Sequence, residues 1–140
     1  FLLSAEEICV KASKKSPLVG QTLSFRQLRG QMFVMPRKAI GIRKLLMSTG
    51  KKYGFVPNIT IECNDSYCLA RYVTEDMGLT LGSRHALENS LEKDIVPLNI
   101  TDFNEIQLVC VYHQKISENN ATLKDFCDFL YAKRQKFNTD

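Results

Sequence analysis

Residues 59–82 read ITIECNDSYCLARYVTEDMGLTLG, and strand, cap, helix and strand signals follow one another there without a gap. Ile59, Thr60 and Ile61 favour a strand because β-branched side chains pack well on a pleated surface. Pro57-Asn58 ahead of them is a turn signal. Asn64, Asp65 and Ser66 each carry a side-chain oxygen able to accept from the free N–H groups of a first helical turn. Cys68, Leu69, Tyr72, Val73 and Met77 then recur at helical spacing as one apolar stripe, with Gly78 placed to end the helix. Leu79-Thr-Leu81 returns at once to the sheet. Such a strand–helix–strand unit is most easily closed as a right-handed parallel crossover. Its strand C-termini and helix N-termini gather on one edge, and that edge is the expected ligand side.

The flanking sequence continues the alternation. Ile8-Cys-Val-Lys-Ala12 predicts a short strand that ends in a polar loop, Ser13 to Pro17. Leu23 to Gly30 predicts a short helix capped by Ser24, with Phe25 and Leu28 inward and Gly30 as its stop. Met32-Phe-Val-Met35 is apolar without alternation, as in a strand covered on both faces, and Pro36 ends it. A helix is expected from about Ile40 to Tyr53, with Ile42, Leu45, Leu46 and Thr49 inward and Gly54 closing it. Beyond the central unit, Ser83 is placed to cap a helix from Arg84 to about Glu92, with Ala86, Leu87 and Leu91 inward. Pro97 assigns Ile95–Leu98 to a sheet edge or a bulge. Asn104–His113 is the longest expected strand, apolar on both faces in its later half. Ser117 to Asn120 forms a turn and cap. The last helix, Ala121 to about Phe137, carries Leu123, Phe126, Cys127, Leu130 and Tyr131 on one side. About seven short strands alternating with five helices predict an α/β fold with mainly parallel sheets.

With 140 residues the chain is long enough for one domain or two small lobes with a real core. Its longest apolar runs, such as Leu108–Tyr112, are too short to span a bilayer. Phe1-Leu-Leu is too short for a signal-peptide core, and the absence of an initial Met is that of a fragment or a processed form. The net charge of +4 sits in three basic stretches, residues 11–15, 37–52 and 124–136. No recognition-helix pattern, zinc spacing or aromatic interleaving accompanies them, so solvated faces are favoured over nucleic-acid contact. Cys9, Cys63, Cys68, Cys110 and Cys127 are odd in number and mostly lie in apolar patterns, which suits reduced, buried thiols. Cys63 and Cys68 approach at the strand-to-helix turn but lack Cys-x-x-Cys spacing. Asn58, Asn64, Asn99 and Asn120 each begin an Asn-x-Ser/Thr triplet at strand edges or caps, where these residues have structural reasons to be.

Three places can contact a ligand. Arg37 and Lys38 precede a helix N-terminus, an arrangement that holds a carboxylate or phosphate; the plainer alternative is two solvated loop residues. Among Asn64, Asp65 and Ser66 the default role is capping, and any of them not used for the cap can face a ligand. Leu81, Gly82 and Ser83 repeat the arrangement at the next helix, where Gly82 lets a ligand approach the backbone. His85 and His113 lack a carboxylate, Ser or Cys partner at any telling spacing. No nucleophile elbow, P-loop, dinucleotide fingerprint or His-Glu-x-x-His occurs, nor a carboxylate pair whose spacing requires acid–base work.

In order and spacing, several stretches resemble the effector-binding domain of LysR-type transcriptional regulators. Ile8-Cys-Val-Lys-Ala-Ser followed by Ser16-Pro-Leu resembles the strand leading to a His-Pro-Leu-like loop, and Leu23 to Gly30 resembles the helix before the hinge strand. Tyr53-Gly-Phe-Val-Pro-Asn-Ile resembles the family's "aGfePni" connection, and Glu62-Cys-Asn-Asp-Ser with Met77-Gly-Leu-Thr-Leu-Gly its central signature. Phe126-Cys-Asp-Phe-Leu resembles the closing helix. The resemblance implies a type-2 periplasmic-binding-protein-like fold of two small α/β lobes. One is built from residues 1–39 and 104–140, with its first part missing, and the other from residues 40–103.

It also implies a small, anionic effector held between the lobes by Met35, Pro36, Arg37 and Lys38, by Asn64, Asp65 and Ser66, and by Leu81 and Gly82. No catalysis, cofactor or metal is implied. A cytoplasmic homo-oligomer, dimer or tetramer, would contact DNA only through a winged helix absent from this chain, and no membrane. The chain departs from the family where Leu81-Gly82-Ser83 replaces Leu-Pro, and where Met35–Ala39 lacks a hydroxyl residue. Residues 47–58 also lack the cysteine pair of peroxide-sensing members. Two other readings remain open at this point: a solute-binding protein of a transporter, and a small α/β enzyme.

Overall fold

The computed structural model describes residues 1–37, 40–84, 92–112 and 120–133. In chain order the strands and helices are β1 (Leu2–Ser13), β2 (Thr22–Leu23), β3 (Met32–Met35), α1 (Ile40–Lys52), β4 (Asn58–Glu62), α2 (Ser66–Thr74), β5 (Thr80–Ser83), β6 (Ile95–Pro97), β7 (Asn99–Ile100), β8 (Glu105–Cys110) and α3 (Ala121–Lys133). Single-turn 3-10 helices stand at Phe25–Leu28 and Glu92–Asp94. The expected helix over Arg84–Glu92, His85 and His113 fall mainly or wholly outside the described residues. The chain divides into two compact units, one of residues 1–7 with 106–140 and one of residues 8–105. The expected divisions lay at 39/40 and 103/104. Residues 8–39 join the larger unit because β1 pairs there with β5 and β6, and β3 with β4.

In the larger unit β3 and β4 run parallel, Met32 opposite Asn58 and Met35 opposite Glu62. Leu79 bridges the other side of β3 in parallel: its N–H donates to Met32 O at 2.8 Å, and its carbonyl accepts from Val34 N–H at 2.7 Å. The central strand–helix–strand unit is thus closed with β3 between its two strands. Two residues of β2 and β7 form a further parallel pair. Ile8–Lys11 of β1 pairs antiparallel with β5, and Lys11–Ser13 pairs antiparallel with β6 on the other side. Pro97 therefore sits on an edge strand, where its missing N–H is tolerated.

The core of this unit gathers where the sequence is most apolar. Phe25, Leu28, Phe33, Met35 and Leu46 are fully buried. The Phe25 ring packs against Phe103, Tyr53 and Phe55 at centroid distances of 5.2, 5.6 and 5.9 Å. Its backbone N–H donates to Asp102 Oδ1 at 2.7 Å, which fixes the short helix to the end of β7. Helix α1 buries Leu46 and Thr49 as expected and ends on Gly54 at φ +80°. The N–H of Phe55 reaches back to Gly50 O at 2.9 Å and that of Gly54 to Lys51 O at 3.1 Å, the paired bonds that close a helix on a left-handed glycine.

Helix α2 differs from expectation in both its end and its face. It stops at Thr74, and Asp76 takes the left-handed conformation at φ 58°. Gly78 serves instead a close approach to β3, since a Cβ there would stand 3.0 Å from the Met32 carbonyl oxygen. The buried side is Ala70, Val73 and Thr74, while Cys68, Tyr72 and Met77 are exposed.

In the smaller unit β8 pairs with β1. Phe1 and Val111 exchange both backbone bonds at 2.9 Å, and the Phe1 ring meets Tyr131 edge-on at 5.5 Å. Asn120 caps α3 by accepting from Leu123 N–H at 3.0 Å. The unit buries Cys127 but leaves Ile106, Leu108, Phe126 and Phe129 more than half exposed. Of the five cysteines, Cys9 and Cys127 are buried, Cys63 and Cys110 are partly so, and Cys68 is exposed; all five are free thiols.

Candidate functional site

At the head of α2 the larger unit holds a cavity of about 220 Å³, small beside the roughly 300–1,000 Å³ common for ligand sites. The turn from β4 into α2 supplies Asn64, Asp65 and Ser66, β5 supplies Leu81 and Gly82, and Pro36 follows β3. These six expected residues meet because β4 and β3 end side by side, while α2 leads the chain back to β5. Six further contributors were not anticipated as site residues: Lys11 of β1, Cys63 after β4, Leu69 and Ala70 of α2, Thr80 of β5 and Ile95 of β6. A wider surface depression, of about 630 Å³, lies along Met47, Lys51 and Val56. Its polar side chains are Ser48 and Lys51, both from α1, so polar groups do not converge on it from separate elements as they do at the head of α2.

Asp65 is the N-cap of α2. It stands in extended backbone, φ −90° and ψ 122°, and its carboxylate accepts from the Cys68 N–H at 2.7 Å. That bond is the main reason its carboxyl is held below the usual range. The same carboxylate pushes the exposed Cys68 thiol up, chiefly through a hydrogen bond that favours the protonated thiol and also because a negative neighbour disfavours a thiolate. The Cys63 thiol donates to Asp65 O at 3.5 Å. Asp65 therefore serves chiefly as the cap, leaving Asn64 and Ser66 as neutral hydrogen-bonding groups at the mouth of the helix.

Three other expected site residues fare differently. Met35 does not line the cavity; it is fully buried, and the Thr80 hydroxyl approaches its sulfur at 3.9 Å. Arg37 does not line it either: its side chain is 69% exposed and pairs with Glu62 at 3.5 Å. Glu62 also takes Arg43, whose hydrogen bond is the leading cause that lowers the Glu62 carboxyl. Lys38 lies outside the described residues. Among the described residues no three or more His, Cys, Asp or Glu side chains group as a metal site. No described helix is long and apolar enough to cross a membrane.

Lys11 left a trace in the sequence. In Ile8-Cys-Val-Lys-Ala-Ser13 the apolar and the polar or small residues alternate, so Lys11 shares a strand face with Cys9 and Ser13. Read with Lys14 and Lys15 it joins a basic stretch and looks solvated. Only the helix lying over that face distinguishes it.

The regulatory domain of CcmR from Synechocystis PCC6803, solved in complex with 2-PG, matches with a TM-score of 0.79 and 17% identity over 99% of this chain and 68% of that one. The effector-binding domain of QuiR in complex with shikimate matches with a TM-score of 0.73 and 19% identity, over 99% of this chain and 66% of that one. These likenesses establish the fold as α/β and periplasmic-binding-protein-like. In sequence, the HTH-type transcriptional regulator CysL of Bacillus subtilis (strain 168) is 25% identical over 132 residues. That match takes in 93% of this chain and 44% of CysL, so the chain spans less than half of this relative. The family model for the LysR substrate binding domain matches residues 2–135, and the chain belongs to that family.

Proposed function

We propose that this chain is the effector-sensing part of a LysR-type transcription regulator, which holds a small molecule at the head of α2 and does no chemistry on it. The observation that carries this reading is the cavity itself, a small, mostly apolar space with polar groups converging from α2 and β5. Membership of the LysR substrate-binding family supports it. So does the naming of its relatives as regulators rather than enzymes.

On this reading residues 40–103 form one lobe and residues 1–39 with 104–140 contribute to the other. The exposed apolar side chains Ile106, Leu108, Phe126 and Phe129 support a first lobe that is completed by further chain. Effector contacts favour one arrangement of the protein over another, and this population shift resets DNA-binding domains carried elsewhere in a homo-oligomer. The regulator works in the cytoplasm, and this domain meets DNA only through those attached domains.

A melting-temperature screen of the intact protein against small metabolites tests the reading. At least one compound should raise the melting temperature of the wild type. Gly82→Ala adds a methyl group to the cavity wall, 4.0 Å from the nearest Lys11 atoms and without strain. It should leave the unliganded melting temperature in place and abolish that response. A response unchanged in Gly82→Ala would place the binding elsewhere.

A further inference from the structure

Lys11 is a lysine in the middle of a sheet. It pairs with Thr80 on one side and Pro97 on the other, and 9% of it is exposed. Ile8, Val10 and Ala12 belong to the core cluster, so Cys9, Lys11 and Ser13 occupy the opposite face. There Ser13 donates to Thr74 O at the end of α2 at 3.0 Å. The Lys11 ammonium stands 4.0 Å from where a Cβ on Gly82 would be, on the wall of the cavity.

No carboxylate among the described residues pairs with Lys11 within 4.0 Å. The nearby acids are committed: Asp65 to the Cys68 N–H, Glu62 to Arg43 and Arg37, and Asp94 to Lys14. The ammonium is not among the buried side-chain atoms left without a partner, so it meets the open space of the cavity, and an anion entering there pairs with it at close range. Asn64 and Ser66 line the same space and offer neutral hydrogen bonds to its second oxygen.

The charge balance sets the class of anion. Lys11 contributes one positive charge and the N-terminus of α2 about half of one, while the Asp65 carboxylate sits on the same wall. The sum is about half a positive charge, so a singly charged anion leaves the site within about half a charge of neutral and a doubly charged one leaves it well negative. We propose that Lys11 reads the charge of the effector and selects small, singly charged carboxylates. This rests on the sensing role proposed above.

The test uses the intact protein and its Lys11→Met variant. Both are titrated with butyrate, pyruvate and benzoate, with the neutral amides of the same acids, and with inorganic phosphate. Expected is binding of at least one carboxylate by the wild type, with its amide and phosphate weaker, and a loss on the order of thirtyfold in Lys11→Met. Lys11→Met should itself melt near the wild-type temperature, because a largely covered side chain without an ion-pair partner has been replaced by an apolar chain of similar length. The charge-reading role is overturned if amides bind as well as acids, if phosphate binds best, or if Lys11→Met binds the carboxylate unchanged. It is overturned too if Lys11→Met melts well below the wild type, which marks Lys11 as structural. If no acid, amide or phosphate binds, the assignment to these carboxylates falls; a response to other, neutral metabolites in the broader screen would leave the sensing role standing without it.

Discussion

Replacing Gly50 by alanine should destabilise the protein, against the preference of the helix that contains it. Alanine in a helix interior is better than glycine by up to about 1 kcal/mol. At Gly50, however, a Cβ would stand 2.6 Å from Pro57 Cγ and 2.9 Å from the Phe55 carbonyl oxygen. The carbonyl is backbone and cannot swing aside, and Phe55 N–H is itself bonded to Gly50 O. Overpacking of this kind costs about 1–3 kcal/mol, which exceeds the propensity gain. The net expectation is a loss of up to about 2 kcal/mol. Gly41, in the same helix, has nothing within 4 Å of its Cβ position, so Gly41→Ala should be neutral or stabilising. Thermal unfolding followed by circular dichroism at 222 nm should separate the two variants by several degrees, at about 2–8 °C per kcal/mol depending on domain size. Pro57→Ala removes the clashing ring atoms and should recover part of the loss when combined with Gly50→Ala, a coupling that a double-mutant cycle reads directly. If Gly50→Ala melts with or above Gly41→Ala, or if Pro57→Ala recovers nothing, then the packing of α1 against the approach to β4 is misread.

Other consequences are open to direct measurement. Phe25→Ala should cost about 3–5 kcal/mol in urea unfolding, because a fully buried ring leaves three aromatic neighbours around an empty space. Val56→Ala, at a position 79% exposed, should stay within about 0.5 kcal/mol of the wild type. Glu62, lowered from its ordinary value of 4.5 by Arg43, contributes stability at higher pH that is lost as pH falls through its folded value. Glu62→Gln should therefore flatten the acid limb of a stability–pH curve below about 4.5, and an unchanged curve would contradict the pairing. Cys68 is exposed but should react slowly with iodoacetamide near neutral pH, since Asp65 raises its thiol. Asp65→Asn keeps a good capping residue and should speed the reaction.

Much of the fold was legible because its strongest signals are local. Pro36, Gly54 and the apolar run Met32–Met35 mark boundaries that the structure keeps, and Leu46 and Thr49 face inward as their spacing requires. The face of α2 was not legible. Val73 of the expected stripe is fully buried, but its buried companions are the small Ala70 and Thr74, while Tyr72 and Met77 are exposed. Gly78 was read as a helix stop because glycine commonly ends helices, but its role depends on the carbonyl of Met32, far away in sequence. The same limit applies at the site. Asn64 to Ser66 and Leu81-Gly82 could be named because caps and strand ends are visible in a linear pattern. Arg37 was named for its charge and its place before a helix N-terminus, and its side chain pairs with Glu62. Lys11 was hidden among the surface lysines beside it, since its burial comes from strands and a helix up to 86 residues distant.

Hydrogen exchange of the intact protein, with and without a compound that raises its melting temperature, tests the central claim most directly. The account predicts that the amides gaining protection concentrate in residues 63–70 and 80–82, around the cavity at the head of α2. Protection confined to other segments, with these two unchanged while the compound is bound, would contradict it.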